Sequence, residues 1–204
     1  MTEYTKKSIS AIILAGGESS RMGRDKALLL LENRTLLGRI CTVASECTDS
    51  VYVVTPRTKK YRSIVPANCQ LISEKLRSNQ KSNSPLIGFI QGISYVKTEW
   101  ILLLACDLPK LDSSLVKQWM LDLPTVLPAE IAFLPRYEDK WEPLCGFYRR
   151  SCLPLLKAYI ETGNNSFQDF LARYPIKELK LLDRSCLFNC NTPQDWASIA
   201  RESS

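Results

Sequence analysis

Ile9-Ser10-Ala11-Ile12-Ile13-Leu14-Ala15-Gly16-Gly17-Glu18-Ser19-Ser20-Arg21-Met22-Gly23-Arg24-Asp25-Lys26 is an apolar run of strand length that turns on two glycines and ends among cations. A strand that feeds a glycine-rich and then basic loop is how a parallel sheet presents its backbone to a phosphorylated ligand. Gly16 and Gly17 carry no Cβ, so the main chain there can approach a nucleotide closely. Arg21 offers a planar guanidinium fork to a polyphosphate, and Lys26 a compact point charge. The loop is not a Walker A loop, because the Gly-Lys-Ser/Thr ending is missing. A Gly-Gly turn after a strand is by itself commonly structural. The full string, with Arg21 and Lys26 in it, is far more specific.

Beyond this stretch, apolar runs of strand length alternate with segments of helical period. Val51–Thr55, Gln70–Ser73, Trp100–Ala105, Ile131–Leu134 and Leu144–Tyr148 read as further strands. Trp100–Ala105 is apolar at every position, as in a central strand covered on both faces. Between them, Thr35–Cys47 places Leu36, Leu37, Ile40, Val43, Ala44 and Cys47 on one stripe of a helix. Ser84-Pro85 reads as an N-cap with proline at the first helical position, ahead of Leu86, Ile90 and Ile93. Asp112 is placed to cap a helix bearing Leu115, Trp119 and Met120, and Thr192-Pro193 repeats the cap-then-proline signal before Asp195–Arg201. This alternation predicts an α/β fold of three layers around a mostly parallel central sheet. The chain is expected to form a single domain, with residues 74 to 84 as its mobile loop.

Composition narrows the chemistry. At 204 residues the chain can bury a substantial core. No stretch approaches the roughly 20 apolar residues of a membrane span. Met1–Lys7 lacks the apolar segment of a secretory signal, so a cytoplasmic protein is expected. Histidine is absent, which removes Ser-His-Asp and Cys-His hydrolases and the usual imidazole zinc sites. Any general base must be a carboxylate, or the chemistry must need none. The eight cysteines include no Cys-x-x-Cys pair, and Cys106 follows Leu102-Leu103-Leu104-Ala105. Reduced, mostly buried thiols are expected. The net charge of +6 is densest at Arg57–Arg62 and Lys75–Lys81. Without a recognised nucleic-acid motif, these clusters read as solvated loops that also attract anionic substrates.

Three polar constellations fall at strand ends or helix starts, where open α/β sheets bind ligands. The first is Ala15–Lys26. The second is Cys106-Asp107-Leu108-Pro109, an aspartate leaving a buried strand into a proline turn. Alone, Asp107 would most simply cap that turn; facing Lys26, it suits magnesium, which takes one or two carboxylates plus substrate phosphates and water. The third is Asn189-Cys190-Asn191-Thr192-Pro193. Its two amides either brace a turn or orient a phosphate, pterin or ribose, and the residues alone leave both readings open.

Taken together, these strings resemble the MobA-like nucleotidyltransferases, the molybdenum cofactor guanylyltransferases. The resemblance rests on Leu14-Ala15-Gly16-Gly17-x-Ser19-x-Arg21-Met22-Gly23-x-Asp25-Lys26, Ser84-Pro85-Leu86-Ile87-Gly88, Cys106-Asp107-Leu108-Pro109, Glu142-Pro143-Leu144 and Asn189-x-Asn191-Thr192-Pro193-x-Asp195. It spans residues 9 to 198; the first string marks the superfamily and the last marks the branch. The resemblance implies a Rossmann-like nucleotidyltransferase fold that transfers GMP from Mg-GTP to the terminal phosphate of molybdopterin or its molybdenum-loaded form. Arg21, Lys26 and Asp107 would be catalytic, and Asp107 would bind Mg²⁺. Leu14, Ala15, Gly16, Gly17, Lys26, Thr55, Glu74 and Asp107 would hold the nucleotide, and Asn189 and Asn191 the acceptor. Residues 9–110 would form the nucleotide half and 111–198 the acceptor half. The implied partners are GTP, molybdopterin and, transiently, molybdopterin-handling proteins, with no nucleic acid or membrane.

The chain departs from the family pattern in places. Thr55 stands where the family usually has Asn, Glu74 where it has Asp, and Ser84 where it has Gly; Asn164-Asn165 follow Gly163 where basic residues are common. These changes bear on base and acceptor more than on phosphate chemistry. Alternatives are therefore a cytidylyltransferase, another nucleotidyltransferase with a different phosphorylated acceptor, or a non-catalytic nucleotide-binding protein of the same fold.

Overall fold

Strand β1 (Ile9–Leu14) runs between two parallel neighbours and is buried on both faces. The structure, a computed structural model, describes residues 6–17, 23–76 and 84–202. After β1 come the short strands β2 (Leu30–Leu31) and β3 (Arg34–Thr35), helix α1 (Leu36–Cys47), β4 (Ser50–Thr55), the single-turn α2 (Thr58–Tyr61) and β5 (Cys69–Ser73). Helix α3 (Pro85–Ile93), β6 (Trp100–Ala105), α4 (Ser113–Asp122), β7 (Ala132–Tyr137), β8 (Lys140–Trp141) and β9 (Cys145–Arg149) follow. The chain continues through α5 (Leu153–Glu161), α6 (Phe167–Leu171), β10 (Lys177–Leu179) and α7 (Pro193–Glu202).

The described residues form an eight-stranded sheet in the order β10-β7-β9-β6-β1-β4-β5, with β8 paired to β7. The pairs β1–β4, β1–β6, β4–β5 and β7–β10 are parallel, whereas β9 runs antiparallel to both β6 and β7. From β1 the chain builds outward through β4 and β5, then returns to lay β6 on the other side of β1. The strand order therefore reverses between β1 and β6, and ligands of open α/β sheets bind beyond the carboxyl ends at such a point. The register brings those ends level, since Leu14 lies beside Val54 on one side and Ala105 on the other.

Alternation along the strands builds the layers. Ile9, Ala11 and Ile13 of β1, with Trp100, Leu102 and Leu104 of β6, pack beneath α1 and α4. Ile12, Ile101 and Leu103 face the opposite core with Leu86, Phe89, Ile90 and Ile93 of α3 and Leu156 of α5. Two helical layers thus cover one sheet. The caps follow local chemistry: Thr35 Oγ1 accepts the Gly38 N–H and Asp112 Oδ1 the Leu115 N–H. Ser84 occupies the cap position of α3, but its hydroxyl makes no cap hydrogen bond, and Pro85 in the first turn needs no donor satisfied.

Other expectations need correction. Strand β7 runs on to Tyr137, beyond the expected Leu134, because its end pairs with β8. The sequence reading has no counterpart of α5, α6 or β10. These elements are short and are held by tertiary contacts such as the ring cluster of Phe89, Tyr148 and Phe167, with centroids 4.8 to 6.1 Å apart. Most of the expected mobile loop, residues 77 to 83, lies outside the described residues. All eight cysteines are free thiols, and every one but Cys106 is buried. No helix among the described residues is long and apolar enough to cross a membrane.

Gly146 of β9 shows how tightly the antiparallel insertion is packed. A Cβ there would stand 2.8 Å from both Leu134 Cδ2 and the Phe133 carbonyl oxygen. The Phe133 oxygen belongs to the ladder and cannot give way like a side chain end. Gly146→Ala should lower unfolding stability by about 1–3 kcal/mol in urea titration, the usual cost of overpacking; an unchanged midpoint would show that β9 has room to shift.

Candidate active site

The cleft at the β1–β6 switch is walled by the loop after β1, the first turn of α3 and the end of β6. Gly16 and Gly17 line it, and having no side chains they line it with backbone. Gly16 is closely approached: a Cβ there would meet Glu74 Oε2 at 2.7 Å and Pro56 Cδ at 2.9 Å. A Cβ on Gly17 would meet nothing within 4 Å. Glu74 follows β5, its N–H donating to the Thr55 carbonyl at 2.9 Å, and its carboxylate thereby reaches the cleft beside Gly16.

Ala15 is held from both sides. Its N–H donates to the Val54 carbonyl at 3.0 Å, and its carbonyl accepts the Thr55 hydroxyl at 2.7 Å. Thr55 is fully buried, and its Oγ1 also accepts the Arg57 N–H at 3.1 Å. Thr55, expected on the nucleotide, sits behind Ala15, where its short, buried hydroxyl braces the backbone that lines the cleft.

Lys26 opens a tight turn at residues 26–28, with the Leu28 N–H bonded to the Asp25 carbonyl at 3.0 Å. Its amine donates to Asp107 Oδ2 at 3.3 Å and to Asn191 Oδ1 at 2.5 Å. The Lys26 and Asp107 side chains are only 15% and 17% exposed. The segment carrying Asn191 is anchored to the same strand end, because the Cys190 N–H donates to the Asp107 carbonyl at 3.2 Å. Three of the expected site residues thus meet in one cluster. Asn189 does not join them; its side-chain amide donates to the Leu187 carbonyl at 3.1 Å, which braces the turn. The two amides of this segment are therefore used differently, Asn191 toward Lys26 and Asn189 toward the Leu187 carbonyl. Arg21 lies outside the described residues.

A second cluster has no counterpart in the sequence reading. Asp25 accepts from Lys60 Nζ at 2.7 Å and from the Tyr61 hydroxyl at 2.9 and 3.0 Å, and Arg57 lies 3.8 Å away. Burial pushes the Asp25 carboxyl upward, but the hydrogen bonds from Lys60 and Tyr61 and the nearby cations outweigh it and hold the group below its ordinary value. Burial chiefly, and Asp25 in addition, raise the Tyr61 phenol, which stays a donor. The basic stretch Arg57–Arg62 is therefore more than a solvated loop: α2 turns Tyr61, Arg57 and Lys60 toward the carboxylate just before Lys26. Only the acidic residue within the first motif could have signalled this, and its partners lie more than thirty positions away.

A carboxyl held below its ordinary value contributes its stability above that value and loses it as pH falls through the folded pKa. Asp25→Asn should destabilise the chain by about 1–2 kcal/mol at neutral pH in urea unfolding. That deficit should shrink as pH drops below the ordinary 3.8; a deficit independent of pH would show that charge is not its source.

The comparisons with known proteins agree with this geometry. A family model described as a MobA-like NTP transferase domain matches residues 11–178. A protein of Nostoc sp. named probable molybdenum cofactor guanylyltransferase is 46% identical over 96% of this chain and 92% of its own. A Pseudomonas putida protein named molybdenum cofactor guanylyltransferase is 30% identical over 91% of this chain and 94% of its own. Among solved structures, molybdopterin-guanine dinucleotide biosynthesis protein A of Archaeoglobus fulgidus superposes with a TM-score of 0.75 at 19% identity, over 95% of this chain and 97% of that one. The 2-C-methyl-D-erythritol 4-phosphate cytidylyltransferase of Thermus thermophilus gives 0.68 at 16% identity, over 95% and 98%; both structural likenesses speak for the fold. With its Rossmann-like sheet, its cleft at the strand-order switch and relatives similar along almost its whole length, the chain belongs to the MobA-like NTP transferase family and is an enzyme of the nucleotidyltransferase class.

Proposed function

We propose that this enzyme transfers GMP from GTP to the terminal phosphate of molybdopterin, or of its molybdenum-loaded form, and releases diphosphate. The observation that carries the reading is the meeting of Lys26, Asp107 and Asn191 at the carboxyl ends of β1 and β6. The names of the relatives that cover nearly the whole chain support the choice of substrates.

The reaction suits a chain without histidine. The acceptor phosphate is already anionic, so no base need deprotonate it. An acceptor oxygen attacks the α-phosphorus, the bond to the oxygen bridging the α- and β-phosphates breaks, and its electron pair leaves on diphosphate. Catalysis then consists of alignment and stabilisation of charge. Lys26 faces the triphosphate as a cation, with Arg21 as a second one. Asn191 orients the Lys26 amine as a neutral acceptor and so leaves its charge available. The backbone of Leu14 to Gly17 brackets the nucleotide, with Thr55 holding Ala15 in place. Glu74 takes the base: a carboxylate accepts two parallel N–H donors, which the guanine edge presents at N1 and N2.

Asp107 is the residue that would hold Mg²⁺. A single carboxylate joined by phosphate oxygens and water is a usual donor set for this ion. No group of three His, Cys, Asp or Glu among the described residues offers a separate metal cage. Bound there, the ion would supply Lewis-acid stabilisation of the phosphoryl oxygens. On this reading residues 9–110 form the nucleotide half and 111–198 the acceptor half, joined at the Lys26–Asn191 contact. The free thiols fit a reducing compartment and support a cytoplasmic site of action.

Thermal unfolding with GTP, CTP, ATP and UTP, each with and without magnesium, tests the nucleotide. A ligand at a hundredfold excess over Kd adds about 2.7 kcal/mol, a rise of very roughly 5–10 °C in Tm for a chain of this size. The rise is expected with Mg-GTP and lost in Lys26→Ala; a response to CTP alone would change the base, and none to any nucleotide would overturn the reading. In a turnover assay with molybdopterin, Lys26→Ala and Asp107→Ala should each lower the rate by about 10²–10³ or more, the usual effect of removing one such electrostatic group.

A further inference from the structure

Asp195 lies in the first turn of α7 and has no place in the chemistry described so far. Its Oδ2 accepts the Thr192 N–H at 2.7 Å and the Asn191 N–H at 2.9 Å. Thr192 Oγ1 in turn accepts the Asp195 N–H at 3.1 Å. The exchange between Thr192 and Asp195 is a capping box, and alone it would do no more than start a helix. The bond to Asn191 is additional, because that amide precedes the cap.

This extra bond falls on the residue whose side chain holds Lys26, one of the residues that line the cleft. The Asn191 backbone is held by Asp195 while its side chain accepts the Lys26 amine. Its neighbour Cys190 is fully buried and bonded through its N–H to the Asp107 carbonyl, just after β6. Cys190 also packs with Leu31, Leu36 and Ile199 in a small apolar cluster apart from the two main cores. The segment is thus fastened just after β6 and to the residues after Lys26, and Asp195 sets the remaining freedom, the orientation of the Asn191 peptide.

We propose that Asp195 is a positioning residue for nucleotidyl transfer: by accepting the Asn191 amide it holds the Asn191 side chain on Lys26 and so fixes where the Lys26 amine stands in the cleft. The inference rests on the guanylyl-transfer reading above. It acts through alignment, and a misplacement of about 1 Å is enough to cost on the order of 10²-fold in rate.

Thr192→Ala is the matched control. It removes the other half of the same capping box but leaves the Asp195 carboxylate on the Asn191 amide. Both Asp195→Ala and Thr192→Ala should lower Tm to a similar extent. In steady-state assays with Mg-GTP and molybdopterin, kcat should fall on the order of 10- to 100-fold in Asp195→Ala and change little in Thr192→Ala. The KM for GTP should stay near the wild-type value in both. Asp195→Asn keeps an oxygen for the two amides and should recover most of kcat.

Equal losses in the two alanine variants would overturn the proposal, because capping alone would explain them; an Asn variant no better than Ala would do the same. If Asp195→Ala does not fold, hydrogen exchange in the wild-type chain decides. The Asn191 amide should be protected, and exchange at the rate of an open loop overturns the clamp. A wild-type chain that fails to turn over the two substrates defeats the functional reading beneath, whereas Asp195→Ala at full rate defeats the positioning role alone.

Discussion

Everything in this chain hangs on the parallel pairing of β1 with β4 on one side and β6 on the other. Parallel neighbours cannot be joined by a hairpin, so each connection must cross a face of the sheet, and helices crossing on both faces bury both. The residues obey that demand. In β6, Trp100, Leu102 and Leu104 enter one core while Ile101 and Leu103 enter the other. Because β4 and β6 lie on opposite sides of β1, the loops leaving β1 and β6 open beside each other at the same edge. A cleft there is a consequence of topology before any polar residue is placed in it.

The polar residues then organise charge within that cleft. Lys26 is largely withdrawn from solvent, which disfavours a cation unless it is paired. Its partners include a carboxylate at a longer distance and a neutral amide at a shorter one. The two bonds together fix the direction of the amine. Asp25, one position earlier, collects Lys60, Tyr61 and Arg57. It ties α2 to the loop and fixes where the backbone turns into Lys26. Two carboxylates, Asp25 and Asp107, thus hold the turn at residues 25–28, and Pro56 and Glu74 crowd the space beside Gly16. The cation is presented from a braced turn rather than from a freely moving side chain.

Some of this was legible in the order of residues. Apolar runs, glycine turns and cap signals depend on neighbours along the chain, so the central strands and the helices capped by Thr35 and Asp112 could be read directly. Asp107 could be singled out because it stands just beyond an apolar run, and Lys26 because it closes the glycine-rich, basic string that follows another. Other residues changed meaning. Thr55 braces Ala15 from behind; Asn189 and Asn191 looked alike, yet one bonds within its turn and the other reaches Lys26. Ser84 has the composition of a cap and makes no cap bond. In each case the side chain has several equivalent local uses, and its surroundings select one.

The sequence by itself determined the alternation of elements, the three-layer α/β class, the glycine loop and the absence of any imidazole chemistry. These follow from period, turn residues and composition, which are local or additive properties. Tertiary structure decided the partnerships. Lys26 lies 81 positions from Asp107 and 165 from Asn191, and Asp25 lies 36 from Tyr61. No spacing rule spans such intervals. They close because strand order, parallel register and two buried faces leave one arrangement in which the ends of β1 and β6 and the segment before α7 meet.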